Sequence, residues 1–326
     1  MKLLVTGGAG FIGSHLCEAL LAQGDTVISL DDLSTGNSQN LETAKQNPKF
    51  TSVTGSILDE PLVDRLVESV DGVFHFAAAV GVQKILKDPI GSLLTNIQGT
   101  ENVLNAAARR NKQVMLASSS EIYGKNPKMP LSEESDRVLG SPLVARWTYS
   151  EAKAIDEAFA RTLHEREGLK VKIIRLFNTV GPRQSPAYGM VIPKFFTAAL
   201  KNEALLIHGD GTQQRVFGHV SDAIAGVLAL WKSEKGFGEA FNVGGFEETT
   251  INELAKRIIE LTSSTSHFSN EGYQEITYQS YEDLAKEGFE DLARRVPDTS
   301  KLTQTTGWKA QKDLAAILQE TYDSLK

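Results

Sequence analysis

The stretch KLLVTGGAGFIG, residues 2–13, restricts the possible folds more than any other in the chain. Lys2 to Thr6 form an apolar run the length of one strand. Gly7, Gly10 and Gly13 follow at once, and Ile12, Leu16, Ala19 and Leu20 then recur at helical spacing. A strand that passes through glycines straight into a helix can turn tightly and present backbone N–H groups to a pyrophosphate at the helix N-terminus. The next strand, DTVISLDD, reaches Asp31. A carboxylate about 20 residues beyond the glycines can bind a ribose 2′-hydroxyl and would repel a 2′-phosphate. The expected cofactor is therefore NAD rather than NADP, held by Gly7, Gly10, Phe11, Ile12, Gly13 and Asp31. An ordinary strand–helix turn with a surface aspartate is the alternative; strand, loop, helix and acid coinciding argue against it.

Strands and helices keep alternating. VDGVFHFAAA, KQVMLASSS and LKVKIIRLFN read as strands, PIGSLLTNIQGTENVLNAAARR as a long amphipathic helix, and the segment around Tyr149 as another helix. This rhythm implies an α/β fold, a doubly wound parallel sheet of the Rossmann type covered on both faces. Beyond about residue 175 the pattern loosens. GPRQSPAYG reads as a loop, residues 190–201 as a helix, and ALLIHGDGTQQRVFGHV as a strand, a turn and a strand. SDAIAGVLALWKS and TINELAKRIIELTSS read as helices, and residues 262–273 as a polar loop. The expected organisation is a dinucleotide-binding domain from residues 1–175 with about 216–242, and a smaller C-terminal substrate-binding domain from about 176–215 and 243–326.

A net charge of -7 argues against a nucleic-acid partner, although a few arginines can still hold a small anion. The lone cysteine, Cys17, excludes an internal disulfide and a cysteine-rich metal site, and suits a reducing compartment. No run approaches the ~18 apolar residues of a membrane span. The opening residues are too short and too rich in glycine for a signal peptide, so a cytoplasmic protein is expected. The six histidines lack metal-ligand spacing; no metal is expected, and His15 reads as a helix-packing residue.

RWTYSEAKAIDE, residues 146–157, sets Tyr149 and Lys153 one helical turn apart on one face. Alone, such a pair is usually a surface pair. Behind a dinucleotide loop it gains a second reading. A free phenol, with a pKa of about 10, is a poor base at neutral pH. A nearby ammonium and the positive charge of an oxidised nicotinamide both favour phenolate. A phenolate there can take a proton from a hydroxyl as hydride leaves the same carbon. Tyr149 and Lys153 are therefore candidate catalytic residues and cofactor contacts.

TGGAGFIG, Asp31, ASSSEIYG, YSEAK, RLFNTVGPR and RRVPD also stand in the order and at the spacing of one family. The chain resembles the extended short-chain dehydrogenases, specifically the NAD-dependent nucleotide-sugar epimerases, dehydratases and decarboxylases, nearly end to end. The resemblance implies that Tyr149 and Lys153 are catalytic and that Ser119 is the hydroxyl partner of the substrate beside them. It also implies that Asn178, Arg215 and Arg295 contact the diphosphate of a nucleotide-diphosphate sugar, a group that arginine's planar fork suits. A homodimer is implied as well. Two positions depart from the family pattern. Its adenine-side Gly-Asp-aliphatic motif reads GSI here, with Ser56 for the acid, and His208 stands where many members stack uracil on an aromatic ring.

In such enzymes the sugar is first oxidised at C4 to a ketone. The dehydratases that act on thymidine-diphosphoglucose carry Asp-Glu after their catalytic threonine, whereas this chain reads Ser119-Ser120-Glu121. UDP-glucuronate decarboxylases resemble it in Ser-Glu, in an arginine three before the tyrosine in some members (here Arg146), and in R-x-P-D. Glu121 then either assists protonation at C5 or serves as a structural acceptor. Arg146 contacts a substrate carboxylate or merely packs. The expected reaction is decarboxylation of UDP-glucuronate to UDP-xylose. The alternative is 4-epimerisation of UDP-glucose and UDP-galactose or of the uronate. A non-catalytic NAD-binding sensor is the remote third reading, since such proteins usually lose the tyrosine or the lysine.

Overall fold

The computed structural model describes residues 1–80, 88–144, 147–188, 190–263, 276–282 and 292–326. In chain order the strands are β1 (Lys2–Thr6), β2 (Thr26–Asp31), β3 (Phe50–Thr54), β4 (Gly72–His75), β5 (Gln113–Ser119), β6 (Val171–Leu176), β7 (Thr179–Val180), β8 (Leu205–His208), β9 (Gln214–Val216), β10 (Gly218–His219), β11 (Ala240–Val243), β12 (Glu248–Thr250), β13 (Ile276–Gln279) and β14 (Arg294–Arg295). Seven of them form one sheet in the order β11-β6-β5-β4-β1-β2-β3. Every neighbouring pair in it is parallel.

Side-chain alternation divides each central strand between two cores. Leu3, Val5, Val27, Met115 and Ile174 pack with residues of the helices Phe11–Ala22 and Val220–Lys232. Leu4, Leu30, Val73, Val114, Leu116 and Ile173 pack on the other side with the helices Glu60–Glu68, Pro89–Arg109 and Thr148–Glu167. Burial on both faces is why these strands read as unbroken apolar runs. A third core, with Phe196, Ile207, Leu254, Ile258 and Tyr322, joins the helices Val191–Leu200, Ile251–Ser263 and Leu314–Asp323. No helix among the described residues is long and apolar enough to cross a membrane.

Several elements differ from the sequence reading. β3 escaped it because Thr51, Ser52 and Thr54 are exposed on an edge strand, so no apolar alternation marks it. β4 ends at His75, and the following residues that read as strand are held by side chains instead. The Thr6 hydroxyl accepts from Ala77 N at 3.2 Å, and Asn96 accepts from Ala79 N at 2.7 Å. β8 and β9, read as two strands about a turn, do not pair with each other. β8 pairs with β13, while β9 lies between β12 and β14. Thr262 and Ser263, where the helix and loop expectations overlap, belong to the helix Ile251–Ser263, in which Thr262 Oγ1 donates to Ile258 O at 2.9 Å. Residues 264–273 of the loop expectation lie outside the described residues.

One polar network ties the sheet to its surroundings. Arg175, on β6, grips Glu157 through Nη2 at 2.7 Å and Nε at 3.0 Å, and donates to the Tyr123 hydroxyl at 2.9 Å. Ser118, on β5, donates to the same carboxylate at 2.5 Å, and Tyr123 donates to Asn242 on β11 at 2.7 Å. Both members of the ion pair are nearly buried, at 12% and 10% side-chain exposure. Removing one partner of a buried pair strands a charge and costs about 3–5 kcal/mol. Arg175→Met is expected to lower the unfolding free energy in urea by that order. Arg175→Met with Glu157→Leu should regain part of the loss, because no charge is then left alone.

Candidate active site

Strand order reverses between β1 and β4, so their connections leave in opposite directions and open a crevice at the carboxyl ends. A cleft of about 1350 Å³ occupies that place. It brings together Gly7, Gly10, Phe11, Ile12, Gly13, Asp31, Ser119, Glu121, Tyr149, Lys153, Asn178, His208, Arg215 and Arg295. Arg146 lies outside the described residues. Ser56 does not line the cleft; its hydroxyl accepts from Leu58 N at 3.1 Å and shapes the local turn.

The glycine loop is fixed by backbone contact. Gly7 has φ +70°, and a Cβ on it would sit 2.7 Å from Ala77 N. A Cβ on Gly13 would overlap the Gly7 carbonyl oxygen. The Asp31 carboxylate, at the end of β2, accepts from Ala9 N at 2.9 Å and Leu33 N at 2.8 Å. Burial pushes its pKa up, against the pull of those N–H groups. A side-chain-free cradle beside a strand-end carboxylate fits a dinucleotide whose ribose carries a 2′-hydroxyl. His15 is a packing residue, with Nε2 3.0 Å from Pro182 O and its ring edge-on to Phe11.

The helix Thr148–Glu167 carries the next group. Lys153 is 2% exposed, and its ammonium donates to Asp156 Oδ2 at 3.1 Å. Burial alone would lower its pKa, but Asp156, Tyr149 and Glu157 together raise it. Burial raises the Tyr149 phenol. Lys153 and a hydrogen bond with Ser119 pull it down, while Glu121 and Asp156 push it further up. The net direction is upward, so the ammonium does not by itself make this phenol acidic. A further positive charge in the cleft would pull it down.

Across the cleft, β14 pairs with β9 so that Arg295 stands directly beside Arg215 in the register. Arg295 is nearly buried and donates to Glu121 Oε1 at 2.7 Å, which brings residues 174 positions apart into one ion pair. Sequence reasoning assigned each a separate role and missed their pairing. Arg215 Nη1 donates to Gln214 O at 2.8 Å. Asn178, at φ +29°, donates from Nδ2 to Val216 O at 2.9 Å and so tethers the cleft wall to β9.

Sequence reasoning also missed Arg183, which lines the cleft at φ +72°. It reaches Glu18 at 2.7 Å and Ser14 at 3.2 Å, locking its loop onto the helix that follows the glycines. Its signal was present in RLFNTVGPR, but without a role. Asp156 was missed too, although it lies two turns beyond Tyr149 on the same helical face.

A doubly wound sheet, a glycine cradle at its switch point and a Ser–Tyr–Lys group in the same cleft define a Rossmann-like protein of the short-chain dehydrogenase kind. The family model described as GDP-mannose 4,6 dehydratase matches residues 4–321, and the chain belongs to that family. A UDP-N-acetyl-alpha-D-glucosaminuronate decarboxylase of Bacillus cytotoxicus is 40% identical over 276 residues, covering 84% of this chain and 84% of that one. UDP-glucuronic acid decarboxylase 1 of Danio rerio is 33% identical over 322 residues, 98% of this chain and 71% of that one. Among solved structures, the UDP-glucuronic acid 4-epimerase of Bacillus cereus in complex with UDP-glucuronic acid and NAD matches with a TM-score of 0.86 at 27% identity, over 100% of this chain and 99% of that one. The UDP-glucose 4-epimerase of Thermotoga maritima with UDP-glucose matches with a TM-score of 0.86 at 30% identity, over 100% and 98%.

Because the Gly13 clash is with backbone, Gly13→Ala should force the loop apart. We expect NAD affinity, read by fluorescence titration with NADH, to fall about tenfold or more, equivalent to roughly 1.4 kcal/mol or above. An unchanged affinity would show that the loop does not hold the dinucleotide.

Proposed function

We propose that this chain is an NAD-dependent decarboxylase of a UDP-hexuronate, either UDP-glucuronate or its 2-acetamido counterpart. The observation that carries the reading is the grouping of Ser119, Tyr149 and Lys153 in the cleft that holds both the glycine cradle and the Glu121–Arg295 pair. The names of the 40% and 33% identical relatives support decarboxylation and divide over the substituent at C2.

NAD, when bound, would supply the acceptor for the hydride that leaves C4 and the positive charge that favours phenolate. Gly7, Gly10, Phe11, Ile12, Gly13 and Asp31 would hold it. Tyr149, as phenolate, takes the proton of the sugar's C4 hydroxyl, and Ser119 aligns that hydroxyl. Lys153 stabilises the phenolate. The 4-ketone makes the substrate a β-keto acid: the C5–C6 bond breaks, carbon dioxide leaves, and the electron pair passes into an enolate. Glu121, set by Arg295, assists the proton that is added to C5 in place of the lost carboxylate. The 4-ketone would then be reduced by return of the hydride to C4, with Tyr149 giving its proton back to the C4 oxygen, which leaves the UDP-pentose. Arg215 and Asn178 receive the diphosphate, and Arg146 is assigned to the uronate carboxylate. UDP-sugar 4-epimerisation is the second reading, supported by the matches to solved 4-epimerases.

Three wider expectations belong to the same reading. Residues 1–175 with about 216–242 form the NAD-binding domain, which the pairing of β11 with β6 supports. Residues about 176–215 and 243–326 form the sugar-binding domain, supported by the third core. The protein is a cytoplasmic homodimer, supported by the lone, buried Cys17 and by exposed Ile90, Leu94 and Ile155 on two adjoining helices.

Incubation with UDP-glucuronate or UDP-N-acetylglucosaminuronate should release carbon dioxide and leave the matching UDP-pentose. UDP-glucose and UDP-galactose should not interconvert, and their interconversion would favour the epimerase. Tyr149→Phe should lower kcat by about 10²–10⁴-fold with NAD binding retained; an active variant would exclude the base assignment.

A further inference from the structure

Tyr149, Lys153 and Asp156 descend one face of the helix Thr148–Glu167. The Asp156 carboxylate is 1% exposed and lies 3.1 Å from the Lys153 ammonium, whose side chain is 3% exposed. An isolated ammonium so deep in a protein sheds its proton rather than stay charged. A neutral lysine would do nothing to stabilise a phenolate. We propose that Asp156 is a positioning residue for the Tyr149–Lys153 pair: its carboxylate is the built-in counter-ion that lets the lysine carry charge at the dry floor of the cleft. The proposal rests on the reading of Tyr149 and Lys153 as the working pair.

The surroundings leave that task to Asp156. On its own helix, Lys153 also meets Tyr149 and Glu157, but Glu157 is committed to Arg175 and Ser118. From β4, His75 faces the lysine; burial first, and Lys153 second, hold its imidazole at about 3, so it stays neutral and adds no competing charge. His75 is itself bound between Thr6 at 2.7 Å and Thr100 at 3.1 Å, and Thr100 approaches Asp156 from the helix Pro89–Arg109. Glu121 faces the phenol from beyond β5 and is paired with Arg295.

The geometry also explains how a counter-ion can help rather than hinder. An ammonium has three N–H groups, and Asp156 engages one, at a fixed distance and direction. That leaves two for other partners, and Lys153 lines the cleft together with Tyr149. The carboxylate thus sets where the lysine points as well as whether it is charged. The cost is that Asp156 raises the phenol, which makes phenolate depend on a second positive charge in the cleft.

The test reads the lysine directly. Nuclear magnetic resonance of the side-chain nitrogen in lysine-labelled protein, with Lys153→Arg identifying the signal, follows its protonation with pH and requires no substrate. In the wild-type protein Lys153 should keep its proton above the ordinary lysine value of 10.5. In Asp156→Asn it should lose it at lower pH, and the alkaline limb of the kcat profile should move down with it. A residue that only packed the helix would lower stability and leave the titration in place. Loss of the wild-type Lys153 proton below the ordinary value overturns the proposal, even if Asp156→Asn does not fold. So does an unmoved titration in a folded Asp156→Asn. The expected titration without turnover on any UDP-uronate supports the counter-ion and rejects the substrate.

Discussion

The close approach of backbone to backbone at the carboxyl ends of β1 and β4 is the constraint on which the rest of the cleft depends. Gly7 lies against Ala77, and Gly13 against Gly7, at separations that admit no side chain. The two central strands can therefore end level with each other, and the helix Phe11–Ala22 can begin where both stop. Because the sheet is parallel, β5 and β6 end on the same side, and Ser119 and Asn178 arrive at the same crevice. Register places these strand ends, and the helix Thr148–Glu167 brings Tyr149 and Lys153 to the same crevice.

Beneath that crevice the polar groups form two separate systems on one helix. Glu157 belongs to Arg175, Ser118 and Tyr123, and braces the helix against β5 and β6. Asp156, its sequence neighbour, belongs to Lys153. Adjacent residues on a helix point about 100° apart, so two consecutive acids serve two different partners without competing. The bracing pair keeps the helix still; the other carries the charge that faces the phenol.

What could be read from the sequence was local. Gly7, Gly10, Gly13 and Asp31 are close in the chain, and Tyr149 and Lys153 are one turn apart; both groups meet in the cleft. The central strands were legible because burial on both faces removes polar residues from them, whereas β3, with one neighbour and an exposed face, left no such trace. The Glu121–Arg295 pair was out of reach, because nothing local records a contact across 174 residues. The upward direction of Tyr149 was equally hidden, since burial is set by segments distant in sequence. Asp156 was legible in spacing, but a charge seven residues from a tyrosine has no assigned meaning until its burial is known.

Arg215 and Arg295 are held side by side by a parallel backbone pairing between β9 and β14. Their spacing is set by those main-chain hydrogen bonds and not by the length of chain that joins them. The helix Ile251–Ser263 and β13 come between the two arginines in sequence, yet both lie outside the three-stranded sheet of β12, β9 and β14. The two arginines stay neighbours for as long as that pairing holds. A lineage built on this arrangement can change the surrounding wall without separating the two arginines.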